Sequence, residues 1–305
     1  MPTWVDAYRD RVAVATGSLF AHARYPLEDT LSYRGDPGLF GPDSTTWTVI
    51  GDVSTFVGGL RALLLQAAHP EVAAGMADHS HYREDPLGRL SRTSAYVTAT
   101  AFGAIPEVES AVAVVQNAHH TVVGMSHRDK TYRADAPPLA AWVHNSLTDG
   151  FLVAYQVFGP HRLTASQADD FVAEQARVGR LLDADPLPVT AAGLAGWIET
   201  HNMAGTSPGM SEAIEFLRSP PLPLPMGIGY RVLFWAAVAT LPRRLRSILG
   251  VRKVPGAITL GQLPTRSLRW SMGSSPSWHL ALTRVDADVP QGLFRQPPPV
   301  VGPDG

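Results

Sequence analysis

The stretch "PEVESAVAVVQNAHHTVVG", residues 106–124, decides the fold class. Val108, Val112, Val115, His119 and Val122 recur at offsets of 4, 3, 4 and 3, the spacing that lays side chains along one face of an α-helix. His119 sits in the middle of this apolar stripe. His120, turned about 100° around the helix, falls toward Gln116 and Val123 at the stripe's edge.

The helical period runs through most of the chain. In "STFVGGLRALLLQAA" (54–68), Val57, Leu60, Leu64 and Ala68 share a face behind Ser54 as a cap. Asp85 and Pro86 form a cap and first turn for a helix over 85–102. Further helices are predicted over 106–123, 137–158, 165–183, 190–202, 209–218, 228–240 and 242–249. Strand-like alternation is scarce and no internal repeat is present. The expected fold is therefore all-α, with a single helical domain over 47–290. An N-terminal helix and a Gly-, Pro- and Asp-rich irregular connection precede it in 1–46, and a disordered tail, 291–305, follows. "PPLPLP" (220–225) reads as a stiff linker inside the domain.

Composition removes several function classes. The 305 residues are 45% hydrophobic and 17% charged, with a formal charge of −2, so no basic excess invites nucleic acid. There is no cysteine, which excludes disulfides, a thiolate nucleophile, cysteine zinc sites, iron–sulfur clusters and thiolate ligation of a haem. A metal here must rest on His, carboxylate, Tyr, Lys or Met. The start, "MPTWVDAYRDRVAV", lacks the pattern of a secretion signal. The most apolar run, "VLFWAAVATL" (232–241), is too short to span a bilayer and is bracketed by Arg231 and Pro242. A cytoplasmic protein is expected, with Arg243, Arg244 and Arg246 leaving peripheral attachment to lipid open.

Two stretches carry candidate chemistry. For His119 the residues leave two readings: a core histidine bonded to a carbonyl, or the single neutral nitrogen that a haem iron needs among apolar walls. In "DPLGRLSRTSAYV" (85–97), Arg89 and Thr93 lie four apart on one face, extended by Tyr96, Val97 and Thr100, with Arg92 on the adjacent flank. The simpler account is a surface arginine pair with its stems on apolar neighbours. The alternative is a donor group for O2 or an oxygen-derived anion. His144, beside Trp142, is the rival ligand to His119. His69 is expected to end its helix, and His79 and His81 to be solvated or capping. "GTSPG" (205–209) matches a nucleophile elbow, but the oxyanion hole needs the N–H of the residue after the serine, and Pro208 has none. Paired Glu-x-x-His, H-E-x-x-H and a complete dinucleotide fingerprint are all missing.

The order of "GGLRALLLQAAHPEVAAGMADHS" (58–80), "DPLGRLSRT" (85–93), "HHTVVG" (119–124), "YRAD" (132–135) and "WVHNSL" (142–147) carries a resemblance. Over about residues 45–250 the chain resembles the b-type haem oxygenases that include latex-clearing protein, a rubber oxygenase, and the oxygenase of mycophenolic acid biosynthesis. The resemblance implies a globin-like helical core and haem b, with His119 as iron ligand and the Arg-x-x-x-Thr pair, Arg89 and Thr93, on the oxygen side. Beside these three, Arg92 and His144 are further candidates for contact with the haem, His144 as a pocket-wall residue. Rubber oxygenases carry a lysine just before the threonine; here it is Arg92, whose guanidinium has no lone pair to offer iron. With a shorter chain and no signal peptide, the implied reaction is oxygenation by O2 of an apolar small molecule, such as oxidative C=C cleavage of an isoprenoid-like metabolite. The alternatives are a haem sensor or carrier without turnover, and a haem-free helical binder of an apolar metabolite.

Overall fold

The computed structural model describes residues 4–80, 84–222 and 224–288. In chain order the helices are α1 (Trp4–Gly17), α2 (Thr45–Ile50), α3 (Thr55–Ala67), α4 (Pro70–His79), α5 (Pro86–Phe102), α6 (Ile105–His120), α7 (Pro137–Phe158), α8 (Ala165–Arg180), α9 (Ala191–Thr200), α10 (Pro208–Arg218), α11 (Leu224–Thr240), α12 (Arg243–Ile248), α13 (Ala257–Met272) and α14 (Pro276–Arg284). The other regular structure is an antiparallel hairpin, β1 (Val123–Met125) with β2 (Thr131–Arg133), in register Val123 to Arg133. The fold is all-α, as expected. The chain forms two compact units: residues 1–53, 84–115 and 266–305 make the first, 54–83 and 116–265 the second. The expected tail and His81 lie outside the described residues.

The first unit is organised around one buried arginine. Arg284 donates from Nε to the Asp36 carbonyl (2.7 Å) and from Nη1 to Thr30 Oγ1 (2.6 Å) and the Phe102 carbonyl (2.8 Å). Thr30 Oγ1 in turn donates a hydrogen bond to Glu107 Oε2 (2.9 Å). The same carboxylate oxygen accepts from the Ala104 N–H, and Asp36 Oδ2 accepts from the Ile105 N–H. Two orphan donors at the start of α6 are thereby satisfied. The Gly- and Pro-rich connection before α2 is irregular because it is built to supply these partners, rather than being a spacer.

In the second unit α3 lies against α7 with almost no side chain between them. A Cβ on Gly150 would stand 2.5 Å from the Gly58 carbonyl oxygen, and one on Gly58 would meet Phe151 Cδ1 at 2.8 Å. Only hydrogen at these two positions allows so close a crossing. Beside it, Arg61 donates from Nε (3.0 Å) and Nη2 (2.6 Å) to Asp149 Oδ2, and from Nη1 to Thr240 Oγ1 (3.3 Å). Both side chains are inaccessible to solvent, at 3% and 5% exposure. Trp142 adds a bond from Nε1 to the Leu65 carbonyl (3.2 Å).

Several predicted boundaries hold closely. The segment 137–158 is α7 itself, opened by two prolines and closed at Gly159. Ser207, dismissed as a nucleophile, caps α10 by accepting from the Met210 N–H (3.0 Å). The helix predicted over 106–123 is a correction: α6 stops at His120. Thr121 Oγ1 turns back to the Ala118 carbonyl and the Val122 N–H to that of His119, which closes the last turn and frees Val123 for β1. The linker at 220–225 is also shorter than expected, because α11 already begins at Leu224.

Candidate functional site

His119 ends α6 on the face that buries Val108 and Val112. The ring is half-buried and has no hydrogen bond among the described residues. Burial pulls its pKa below the ordinary histidine value, Asp135 pulls it back up, and His120 adds a smaller push down. The result is an imidazole that burial holds toward its neutral form, with no hydrogen bond to its ring among the described residues. His120 is placed differently. It is exposed and bonds through Nδ1 to Asp135 Oδ2 (2.9 Å), which also takes Arg133 Nη2 (2.8 Å). Arg133 first and His120 second hold the Asp135 carboxyl down to about 2.

The histidine pair and the "YRAD" segment are thus joined by Asp135, and Tyr132 of that segment donates to Asp78 Oδ2 of α4 (2.6 Å). A Cβ on Gly124 would strike the Tyr132 hydroxyl, which is why the hairpin needs glycine opposite the tyrosine.

His144 lies deep between α7 and α8. Its pKa falls to about 4, chiefly through burial, opposed by a hydrogen bond to the Gln175 backbone. Its Nε2 is 3.4 Å from Thr148 Oγ1, and a Cβ on Gly179 would press to 2.8 Å from its Cδ2. This is the environment of a packed, partnered core histidine.

Arg89, Arg92 and Thr93 sit on α5 in the first unit, whereas His119 and His144 belong to the second. Asp85 caps α5 by accepting from the Gly88 N–H (2.9 Å) and also pairs with Arg92 Nη1 (3.2 Å). Arg92 and Thr93 are exposed and Arg89 is half-buried. One residue on this face is more telling than the sequence indicated. The Tyr96 hydroxyl is shut off from solvent, has no hydrogen-bond partner among the described residues, and has its pKa driven well up by burial. A buried unpaired hydroxyl costs about 1–3 kcal/mol, so this face of α5 suits a bound group carrying polar atoms. Arg89, Thr93, Tyr96 and Thr100 fall in one line along it.

His69 corrects an expectation. It does not close α3, whose C-cap is Ala68; it is the N-cap residue of α4 and is 2% exposed. Its ring stacks 5.6 Å from Trp142 and 5.7 Å from His201, and Trp197 stacks 4.5 Å from His201. Glu71, 3.3 Å away, is fully engaged by Ser126 and Arg128; burial pushes its pKa up, but those partners hold it low. His79 ends α4, exposed, with Nε2 3.1 Å from the Val123 carbonyl. No local signal in the sequence brings His201, at the C-cap of α9, to the neighbouring pair His69 and Glu71, because it comes from a distant stretch.

Burial brings the His69 pKa down to about 4. Both His69 and His144 therefore stay neutral in the folded chain while the unfolded chain takes up protons below about 6.5. Stability is complete above that pH and falls as pH drops toward about 4. The urea midpoint measured from pH 7.5 to 5 should already decline below pH 6.5. A flat profile over that window would show that neither ring resists protonation.

Against models of known families, residues 47–272 match "ER-bound oxygenase mpaB/B'/Rubber oxygenase, catalytic domain". The chain belongs to this family. All five motifs of the mpaB/rubber oxygenase resemblance lie inside the matched span. Searches of curated proteins and of solved structures gave no match. Among the described residues of this oxygenase-family chain, no cluster of three or more His, Asp or Glu could hold a metal ion, and no helix is long and apolar enough to cross a membrane.

Proposed function

We propose that the protein is a haem b-dependent oxygenase acting with O2 on an apolar small molecule, of the kind that offers an oxidisable C=C bond, such as an isoprenoid-like metabolite. The observation that carries this reading is His119, a neutral, unbonded imidazole on an apolar helix face in a chain of oxygenase family. A haem iron asks for one such nitrogen, which agrees with the lack of any multi-residue metal cluster among the described residues. The unpaired Tyr96 hydroxyl supports a polar-edged group against α5. Haem, when bound, supplies the one-electron and oxygen chemistry that no side chain here can perform.

The roles left to the chain are positional and electrostatic. His119 holds the iron and needs no proton to do so. Arg89 brings a fixed positive charge toward the oxygen substrate, and Thr93 a neutral donor. Arg92, already tied to Asp85, has the charge to meet a haem propionate. Apolar walls orient the substrate and keep water out.

The test is direct. The purified protein should show a Soret band, and oxygen uptake should follow addition of an apolar alkene. A coloured protein without uptake would favour a haem carrier or sensor, and a colourless one that stays colourless with added haem would end the haem reading. Charge-assisted bonds are worth about 1.5–3 kcal/mol, so Arg89→Ala should slow turnover by about one to two orders of magnitude while haem content stays constant. Thr93→Ala should act in the same direction, more weakly, and Arg92→Ala least. Full uptake in Arg89→Ala would remove the arginine from the mechanism.

A further inference from the structure

The distribution of acid along the chain is uneven: between Glu215 and Asp286 there is no aspartate or glutamate at all, although the whole chain has 27. The same stretch exposes Arg218, Arg231, Arg243, Arg252, Lys253 and Arg266. Arg243, Arg252, Lys253 and Arg266 form no ion pair among the described residues. A chain that is slightly acidic overall thus carries one strongly basic tract.

Apolar side chains project from the middle of this tract. Arg252, Lys253 and Val254 form the loop before α13, which turns through Gly256 at φ +73°. The inner face of α13 buries Ala257, Gly261 and Thr265, and Gly261 is seated so closely that a Cβ would lie 2.5 Å from Ala236 Cβ. Its outer face carries Leu260 and Leu263, exposed by 55% and 63%, with Val254 exposed by 37% just ahead. A solvent-facing helix surface ordinarily places polar groups there. Leucines on the outer face, flanked by unpaired basic residues and no acid, make the pattern of a helix that lies in a membrane interface.

We infer that the Arg252–Leu263 segment docks the protein on an anionic lipid surface, the leucines entering the acyl boundary while Arg252 and Lys253 meet the headgroups. Charge decides for lipid, since an acid-free basic tract complements a negative leaflet. The leucines decide against nucleic acid, which offers them nothing to enter. A soluble acidic protein would engage the cations without needing the two leucines. The inference is independent of the haem reading and its test needs no haem.

Flotation of the full chain with phosphatidylcholine vesicles, with and without 30% phosphatidylserine as the probe, measures it (composition on the order of inner-leaflet charge). Binding should require the anionic lipid and weaken with salt. Each basic residue near such a surface contributes about fivefold, so Arg252→Gln with Lys253→Gln should weaken binding about 30-fold. Leu260→Gln with Leu263→Gln should weaken it at least about tenfold at every salt concentration. These outward positions leave the far-UV circular dichroism unchanged. Absence of binding to anionic vesicles, or binding untouched by either pair, would overturn the inference. So would equal binding to soluble polyglutamate that ignores the leucine pair, which would point to an acidic protein instead.

Discussion

His119→Ala should lose most of its haem, and His120→Ala should keep it. The two residues are adjacent, equally basic in isolation and at the same helix end, so the contrast isolates direction rather than chemistry. His119 is turned into the apolar stripe, with burial holding it neutral and nothing bonded to its ring among the described residues. His120 is turned to solvent and bonded to Asp135. Removing His120 gives up only an exposed hydrogen bond to Asp135 and leaves the His119 nitrogen in place. Removing His119 takes away the nitrogen. The ratio of Soret to protein absorbance in the purified variants reads the difference, and addition of imidazole to His119→Gly should restore part of it. Equal haem in the two alanine variants, or loss caused by His144→Ala alone, would place the ligand elsewhere.

The second large effect is on stability. Asp149→Ala should cost about 3–5 kcal/mol, a large part of a typical total of about 5–15 kcal/mol. The cost arises because Arg61 cannot shed its charge and would stay buried with the Thr240 hydroxyl as its remaining partner among the described residues. The double variant Arg61→Leu, Asp149→Leu should recover most of the loss, since it removes both buried charges together. Urea unfolding of the single and double variants separates these outcomes. A cost below about 1 kcal/mol for Asp149→Ala would mean that water reaches the pair.

What the sequence disclosed, and what it hid, divides along physical lines. That His119 faces inward and His120 outward was legible because helical period alone sets which neighbour is buried. The start and end of α7 were legible because prolines and Gly159 mark them. The end of α6 was not. Val122 and Val123 continue the apolar period, and a period cannot tell one more helical turn from the first residues of a short strand. Helix α13 is not among the predicted helices; it holds Gly261 and Pro264, residue types that weaken a helix, and the close approach of Ala236 that requires Gly261 is not a local signal. Nor does the sequence single out Arg61. Its partner lies 88 positions away, and no local pattern reports such a pairing. The orphaned Tyr96 hydroxyl was hidden for the same reason: an unmet hydrogen bond is a property of surroundings, not of spacing.

The glycine crossing of α3 and α7 has one further consequence, in time rather than in space. With Gly58 and Gly150 in backbone contact, the helices have no cushion of side chains to rearrange, so they cannot part by degrees. Amide hydrogens in the middle turns of both helices should exchange with deuterium at one common slow rate, set by whole-unit opening, while those of α1 and α9 exchange earlier by local fraying. The slowest clock in the molecule then sits where its side chains are smallest.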